Sequence, residues 1–157
     1  MTLSIKPAET DTDLALAREL FVEYAGTLGF DLSFQNFQQE LAELPGHYSP
    51  PEGGLLLARV GEQPAGCAAF RNLLTGVCEM KRLYVRPAFR GRAVGAALAL
   101  AVIAAARAAG YARMRLDTVP SMKAAISLYR QLGFSEIPPY RANPIPGALF
   151  LELDLSA

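Results

Sequence analysis

The chain has 157 residues, 15 basic against 15 acidic side chains, and 52% apolar residues. That balance excludes the basic excess of a nucleic-acid binder, and the length suits one ordinary domain over residues 1–157. With no secretory leader and no apolar run near the roughly 20 residues of a bilayer span, the expectation is a cytoplasmic protein that engages neither nucleic acid nor membrane.

Ser4–Lys6 reads as a short first strand. Thr10 and Asp13 form a capping-box start for a helix with Leu14, Ala17, Leu20, Phe21, Tyr24 and Leu28 at helical spacing, ended by Gly29. Phe34, Phe37, Leu41 and Leu44 mark a second amphipathic helix, stopped by Pro45-Gly46. Leu55–Val60 and Ala65–Leu73 predict a hairpin around Gly61-Glu62-Gln63-Pro64, and Val77–Val85 a further strand. Arg90–Ala109 predicts a long apolar helix closed by Gly110; Ala112–Thr118 is a strand, Met122–Leu132 a helix ended by Gly133, and Ala148–Leu155 the last strand. This order predicts an α/β domain with a mixed sheet and helices on both faces. Cys67 and Cys78 read as free buried thiols. No metal-ligand spacing exists, and the single histidine, His47, reads as a surface residue of a Gly/Pro-rich segment.

The stretch from Lys81 to Gly95 is the most informative. A strand halted by Pro87 is followed by an Arg/Gly turn that opens into the apolar helix. A helix start exposes unpaired N–H groups and the positive end of the helix dipole. Gly91, Ala93 and Gly95 let a phosphate approach the backbone closely, while Arg90 and Arg92 add charge. Neither a P-loop nor a dinucleotide fingerprint is present.

Arg90-Gly91-Arg92-Ala93-Val94-Gly95 resembles the pyrophosphate motif of the GNAT acetyltransferase superfamily, with Ala93 where the family usually has its first glycine. A helical residue 93 would tolerate the extra methyl; a positive φ would make it a clash. Ala125-Ile126-Ser127-Leu128-Tyr129-Arg130-Gln131-Leu132-Gly133-Phe134 resembles a second family signature, with Met122 in place of a usual asparagine. The resemblance implies the acyl-CoA N-acyltransferase fold, a mostly antiparallel sheet of about seven strands. It also implies acetyl-CoA as acyl donor, held by Leu83, Tyr84, Val85, Arg90, Gly91, Arg92, Ala93, Val94 and Gly95, and Tyr129 as general acid beside the sulfur. The backbone of Leu83 to Val85 would meet the pantetheine amides and the thioester carbonyl.

Acetyl transfer to an amine must remove a proton, stabilise an oxyanion and release a thiolate. At neutral pH the first task costs roughly 4–5 kcal/mol for a lysine-like amine and the last about 2 kcal/mol. A base therefore matters more than an acid. Glu79 is the candidate base, on a strand whose alternation would set Glu79, Lys81, Leu83 and Val85 on one face; pairing with Lys81 or Arg82 is the alternative reading. Tyr129 has a core-aromatic alternative beside Ile126 and Leu132. Arg71 and Arg141, the latter in the Pro138–Gly147 loop, are candidates to hold an acceptor carboxylate. The reading is thus an N-acetyltransferase transferring acetyl, by direct attack, to a primary amine of a small molecule or amino-acid-like acceptor. Acetylation of a protein or peptide N-terminus, and a non-catalytic acyl-CoA-binding module, are the alternatives. A homodimer is compatible with all three.

Overall fold

Thr10 and Asp13 start the first helix as their spacing predicts. In the computed structural model, which describes residues 2–156, the Asp13 N–H donates to Thr10 Oγ1 at 3.0 Å and the Thr10 N–H to Asp13 Oδ2 at 3.2 Å. Two otherwise unpaired donors are satisfied by that exchange. Around this helix, α1 (Asp11–Gly26), the chain builds β1 (Leu3–Pro7), α2 (Phe37–Glu43), β2 (Gly54–Val60), β3 (Gln63–Leu74), β4 (Val77–Val85), α3 (Val94–Ala108), β5 (Arg113–Thr118), α4 (Lys123–Gln131), β6 (Ser135–Ile137) and β7 (Leu149–Asp154). The sheet runs β1-β2-β3-β4-β5-β7-β6, and only β4 with β5 is parallel. This is the mixed, mostly antiparallel seven-stranded sheet that was expected.

Alternation along the strands divides the core. Leu56, Ala58 and Val60 of β2 pack with Leu98, Val102 and Ile103 of α3 on one face, and α4 joins that face through Tyr129. Leu55 and Leu57 pack instead with Leu20 and Phe21 of α1 and Phe37 and Leu41 of α2 on the other. Gly66 brings β3, β4 and α3 together: a Cβ there would run into the Tyr84 carbonyl oxygen and lie 3.2 Å from Leu98 Cδ1.

Four expected boundaries move. The first helix stops at Gly26, with Thr27 as its cap, before Gly29 is reached. The second predicted helix is interrupted, because Ser33–Gln35 forms a 3₁₀ turn and Asn36 takes a left-handed conformation at φ 55° before α2 begins. Phe34, expected on the apolar face of that helix, lies outside the described side chains. The long helix begins at Val94, not Arg90, after a 3₁₀ turn over Pro87–Phe89 and positive φ at Gly91 and Ala93. Finally β6, which periodicity does not reveal, is a three-residue edge strand pairing Ser135–Ile137 with Phe150–Glu152. Among the described residues no helix is long and apolar enough to cross a membrane, and no group of three or more His, Cys, Asp or Glu side chains could hold a metal.

Candidate active site

The site begins where two strands part. β4 and β5 pair only through Val77–Glu79 and Arg113–Arg115, so the later residues of both strands border a cleft. A bulge accompanies the parting. On β3, Cys67 pairs with Tyr84 but Ala69 with Lys81, which leaves two residues of β4 opposite one of β3. Arg82 sits in this bulge at φ 62°. Its guanidinium donates to both Glu40 oxygens at 2.8 Å and to Gln35 Oε1 at 2.8 Å, and lies 5.3 Å from the Phe37 ring centroid.

The inserted residue corrects the expected alternation. Glu79, Lys81 and Arg82 turn their polar ends toward Gln35, Glu40 and Tyr140, on the α1/α2 side. Leu83 and Val85 instead pack against the α3 core.

On that second side lies a groove of ≈ 420 Å³. It is lined by Leu83, Tyr84, Val85, Arg90, Gly91, Ala93, Val94 and Gly95, eight of the nine residues expected to hold the acyl donor. Arg92 is the exception: it is exposed and its guanidinium lies 5.7 Å from the Phe89 ring centroid, outside the groove lining. No side chain caps α3, and its first backbone bond at this end is from the Ala97 N–H to the Ala93 carbonyl. The groove therefore meets unpaired N–H groups at the positive end of a 15-residue helix. A Cβ on Gly95 would meet only Val85 Cγ2, at 3.6 Å, so the space above it is open. Arg90 Nε donates to the Val85 carbonyl at 3.1 Å, joining strand end to helix start.

Ala93 takes the strained alternative, with φ 60° and ψ 19°. An L-residue in this region is disfavoured by about 1–2 kcal/mol; glycine relieves that strain but loses part of the gain through the greater freedom of its unfolded chain. Ala93→Gly is therefore expected to stabilise the protein, by up to about 1 kcal/mol. Urea unfolding checks the sign, since the same change at a helical position would destabilise.

Tyr24, Leu83 and Met122 line both the groove and a smaller cavity of ≈ 40 Å³ at its inner end, which Lys81, Asp117, Thr118 and Tyr129 complete. Tyr129 is buried with its ring 5.6 Å from that of Phe134. Its hydroxyl has no hydrogen-bond partner among the described residues, and burial raises its pKa, so it remains a donor at any working pH.

Glu79 is fully buried and fully engaged. Oε1 lies 3.2 Å from Arg71 Nε and 3.9 Å from Lys81 Nζ; Oε2 lies 2.7 Å from Arg141 Nη2 and accepts from the Tyr140 hydroxyl at 2.7 Å. Burial pushes this carboxyl up, but Lys81, Arg141, the Tyr140 hydroxyl and Arg71 pull it further down, below the ordinary carboxylate range. Such a carboxylate is a weak proton acceptor with no open face. Lys81 moves toward neutrality: burial and the adjacent Arg82 lower it, Glu79 opposes them, and the result is about 8. Its Nζ donates to Gln35 Oε1 at 3.1 Å.

Arg71 and Arg141, expected to meet an acceptor carboxylate, both end on Glu79. The Pro138–Gly147 loop supplies Tyr140 and Arg141 to Glu79 and Asn143 to Asp117, whose Oδ2 accepts from Asn143 Nδ2 at 3.1 Å. Cys67 and Cys78 are free and buried, which raises both thiols, Cys78 to about 12. His47 is exposed as expected. Sequence reasoning missed the site positions of Lys81, Asp117 and Gln35. A lysine inside an apolar internal strand was the available signal for the first; nothing local marks the other two.

The profile of the Acetyltransferase (GNAT) family matches residues 15–134. The chain belongs to this family. An uncharacterised N-acetyltransferase of Schizosaccharomyces pombe is 40% identical over 156 residues, covering 98% of this chain and 96% of its own. The GNAT-family acetyltransferase structure from Staphylococcus aureus superposes with a TM-score of 0.81 at 18% identity, covering 98% of this chain and 99% of its own. That of the PaiA N-acetyltransferase from Thermoplasma acidophilum, solved with coenzyme A, has a TM-score of 0.73 at 16% identity over 98% of this chain and 99% of its own. As a GNAT member the protein is an acyltransferase enzyme.

Proposed function

We propose that this GNAT enzyme transfers acetyl from acetyl-CoA to the primary amine of a small molecule, as a single-domain cytoplasmic protein. One observation carries the reading: the groove at the uncapped start of α3 runs directly into the cavity that holds Tyr129 and Lys81. The donor's pyrophosphate lies at the N–H groups of α3, its pantetheine arm follows Leu83–Val85 along the unpaired edge of β4, and its thioester ends at the inner cavity. That the Thermoplasma protein of the same fold was solved with coenzyme A supports a coenzyme A thioester as the donor.

Each polar group then has a task. Tyr129, uncommitted and protonated, donates a hydrogen bond to the departing sulfur. Neutral Lys81 takes the proton of the acceptor amine, because an amine near pH 8 is well matched to that work. Glu79 acts through Lys81, holding it in place and setting its proton affinity. Since Arg71 and Arg141 are spent on Glu79, amines without a carboxylate fit better than amino-acid-like acceptors.

Thiol release from acetyl-CoA across a panel of primary amines tests the function; a chain that acetyl-CoA stabilises against heat yet releases no thiol with any amine would be the non-catalytic binding module. With an accepted amine, kcat/KM should climb about tenfold per pH unit and level off near pH 8, where Lys81 loses its proton. Lys81→Met should lower activity at neutral pH and move that plateau up to the acceptor's own pKa. An unchanged profile would remove Lys81 from the proton's path.

A further inference from the structure

We propose that Asp117 holds the acceptor as a cation, so that the enzyme selects primary alkylammonium substrates over amines that are neutral at working pH. This deepens the acetyl-transfer reading and rests on it. The proposal starts from the parting of the strands. The β4–β5 ladder ends at Glu79 and Arg115, so Asp117, two residues further along β5, borders the cleft and not β4.

Asp117 lines two adjoining spaces: the cavity that also holds Tyr129, and a second of ≈ 30 Å³. About 10–15 Å³ of cavity already admits one water, so this space can admit an ammonium head group of similar size. In that second space Asp117 is the one charged residue of the lining, among apolar Leu28, Leu32 and Val119 and uncharged polar Gln35, Thr118 and Asn143. A single anion in an otherwise uncharged wall beside the proposed transfer point describes an organic cation. The polar cavity of ≈ 300 Å³ beside α2 is larger and also acidic, with Glu40 and Glu43, but Tyr129 does not line it.

The pairing pattern sets Asp117 apart from the other carboxylates nearby. Glu79 faces Arg71, Lys81 and Arg141; Glu40 is held by Arg82, Glu23 by Arg86 and Glu152 by Arg115. Asp117 makes no ion pair among the described residues. Its one side-chain bond is the neutral Asn143 amide on Oδ2, and Asn143 is itself oriented by the Ile145 N–H, which donates to Asn143 Oδ1 at 3.0 Å. Oδ1 of Asp117 is left for a donor from the cleft. A half-buried carboxylate without a cation is unfavourable, and an incoming ammonium completes it. The charges facing it from β4, Lys81 and Arg82, are engaged with Gln35, Glu79 and Glu40, so the second space remains open to a cation. Asp117 is near enough to act on Tyr129, whose hydroxyl is raised by burial first, then by Tyr24 and Asp117.

Benzylamine and aniline separate the idea, being similar in size but respectively cationic and neutral near pH 7.5. Asp117→Asn keeps the shape and removes the charge. It should lower the benzylamine-to-aniline ratio of kcat/KM by at least about tenfold, the worth of a hydrogen bond to a charged group, mainly through the KM for benzylamine. Asp117→Glu should restore most of the ratio. Acetyl-CoA should still raise the melting temperature of both variants. A ratio unchanged in Asp117→Asn, or an acetyl-CoA shift lost with it, overturns the assignment alone. A parent chain that acetyl-CoA stabilises but that acetylates neither amine, nor any other of the panel, overturns the acetyl-transfer reading with it.

Discussion

A Glu79→Gln protein is expected to melt about 10 °C below the parent. Glutamine keeps the size of the side chain but strands Arg71, Lys81 and Arg141, three cations that now converge on one carboxylate. Breaking a buried ion pair on one side costs about 3–5 kcal/mol. Arg71 and Arg141 keep roughly a quarter of their side-chain surface exposed and recover some hydration, so the lower end applies. In a domain of this size each kcal/mol moves the midpoint by about 2–4 °C. Because Glu79 is held below its reference value of 4.5 in the folded protein, the deficit is complete above that pH and shrinks as the pH falls through the folded pKa. Thermal melts of both proteins between pH 3 and 8 measure this. The pH–rate profile adds a second reading: Glu79 raises Lys81, so its loss should move the Lys81 limb below pH 8 without erasing it. A limb erased by Glu79→Gln, with the fold intact, would return the base to Glu79.

Tyr129→Phe should lower kcat by about 10²-fold while acetyl-CoA still protects the protein from heat. The two effects separate cleanly because the hydroxyl has no partner among the described residues. Removing it leaves no orphaned donor or acceptor behind, and the ring keeps its place against Phe134. A Tyr129 that served only the core would show unchanged turnover. Single-turnover kinetics at saturating donor, with stability followed in parallel, make the distinction.

Much of the architecture was legible because it is local. The Thr10–Asp13 cap, the β2–β3 hairpin and the apolar periodicity of α3 all state their structure within a few residues, although the turn is only Gly61-Glu62 and β3 already begins at Gln63. The groove at the start of α3 was legible for the same reason: strand end, turn and helix start are contiguous in sequence. What pattern could not show depends on single backbone angles or distant partners. Ala93 and Arg82 both adopt positive φ, which nothing in their residue type announces. The state of Glu79 is decided by Arg71 on the neighbouring strand and by Tyr140 and Arg141 more than 60 residues later in the chain. Asp117 makes no ion pair among the described residues, and that can be seen only once those neighbours are in place.

The bulge at Arg82 makes β4 a strand that changes parity. Before it, odd-numbered side chains face the polar side of the sheet; after it, odd-numbered Leu83 and Val85 line the groove at the start of α3. One strand thereby sends side chains to both sides of the sheet, and a single extra residue sets where the numbering crosses over. Deleting Arg82 would restore strict alternation and leave Leu83 and Val85 toward α3 and Tyr84 toward α1; what it would remove is the guanidinium that holds Glu40 and Gln35. The extra residue sets two consecutive cations, Lys81 and Arg82, on one side of the sheet, an arrangement that strict alternation forbids.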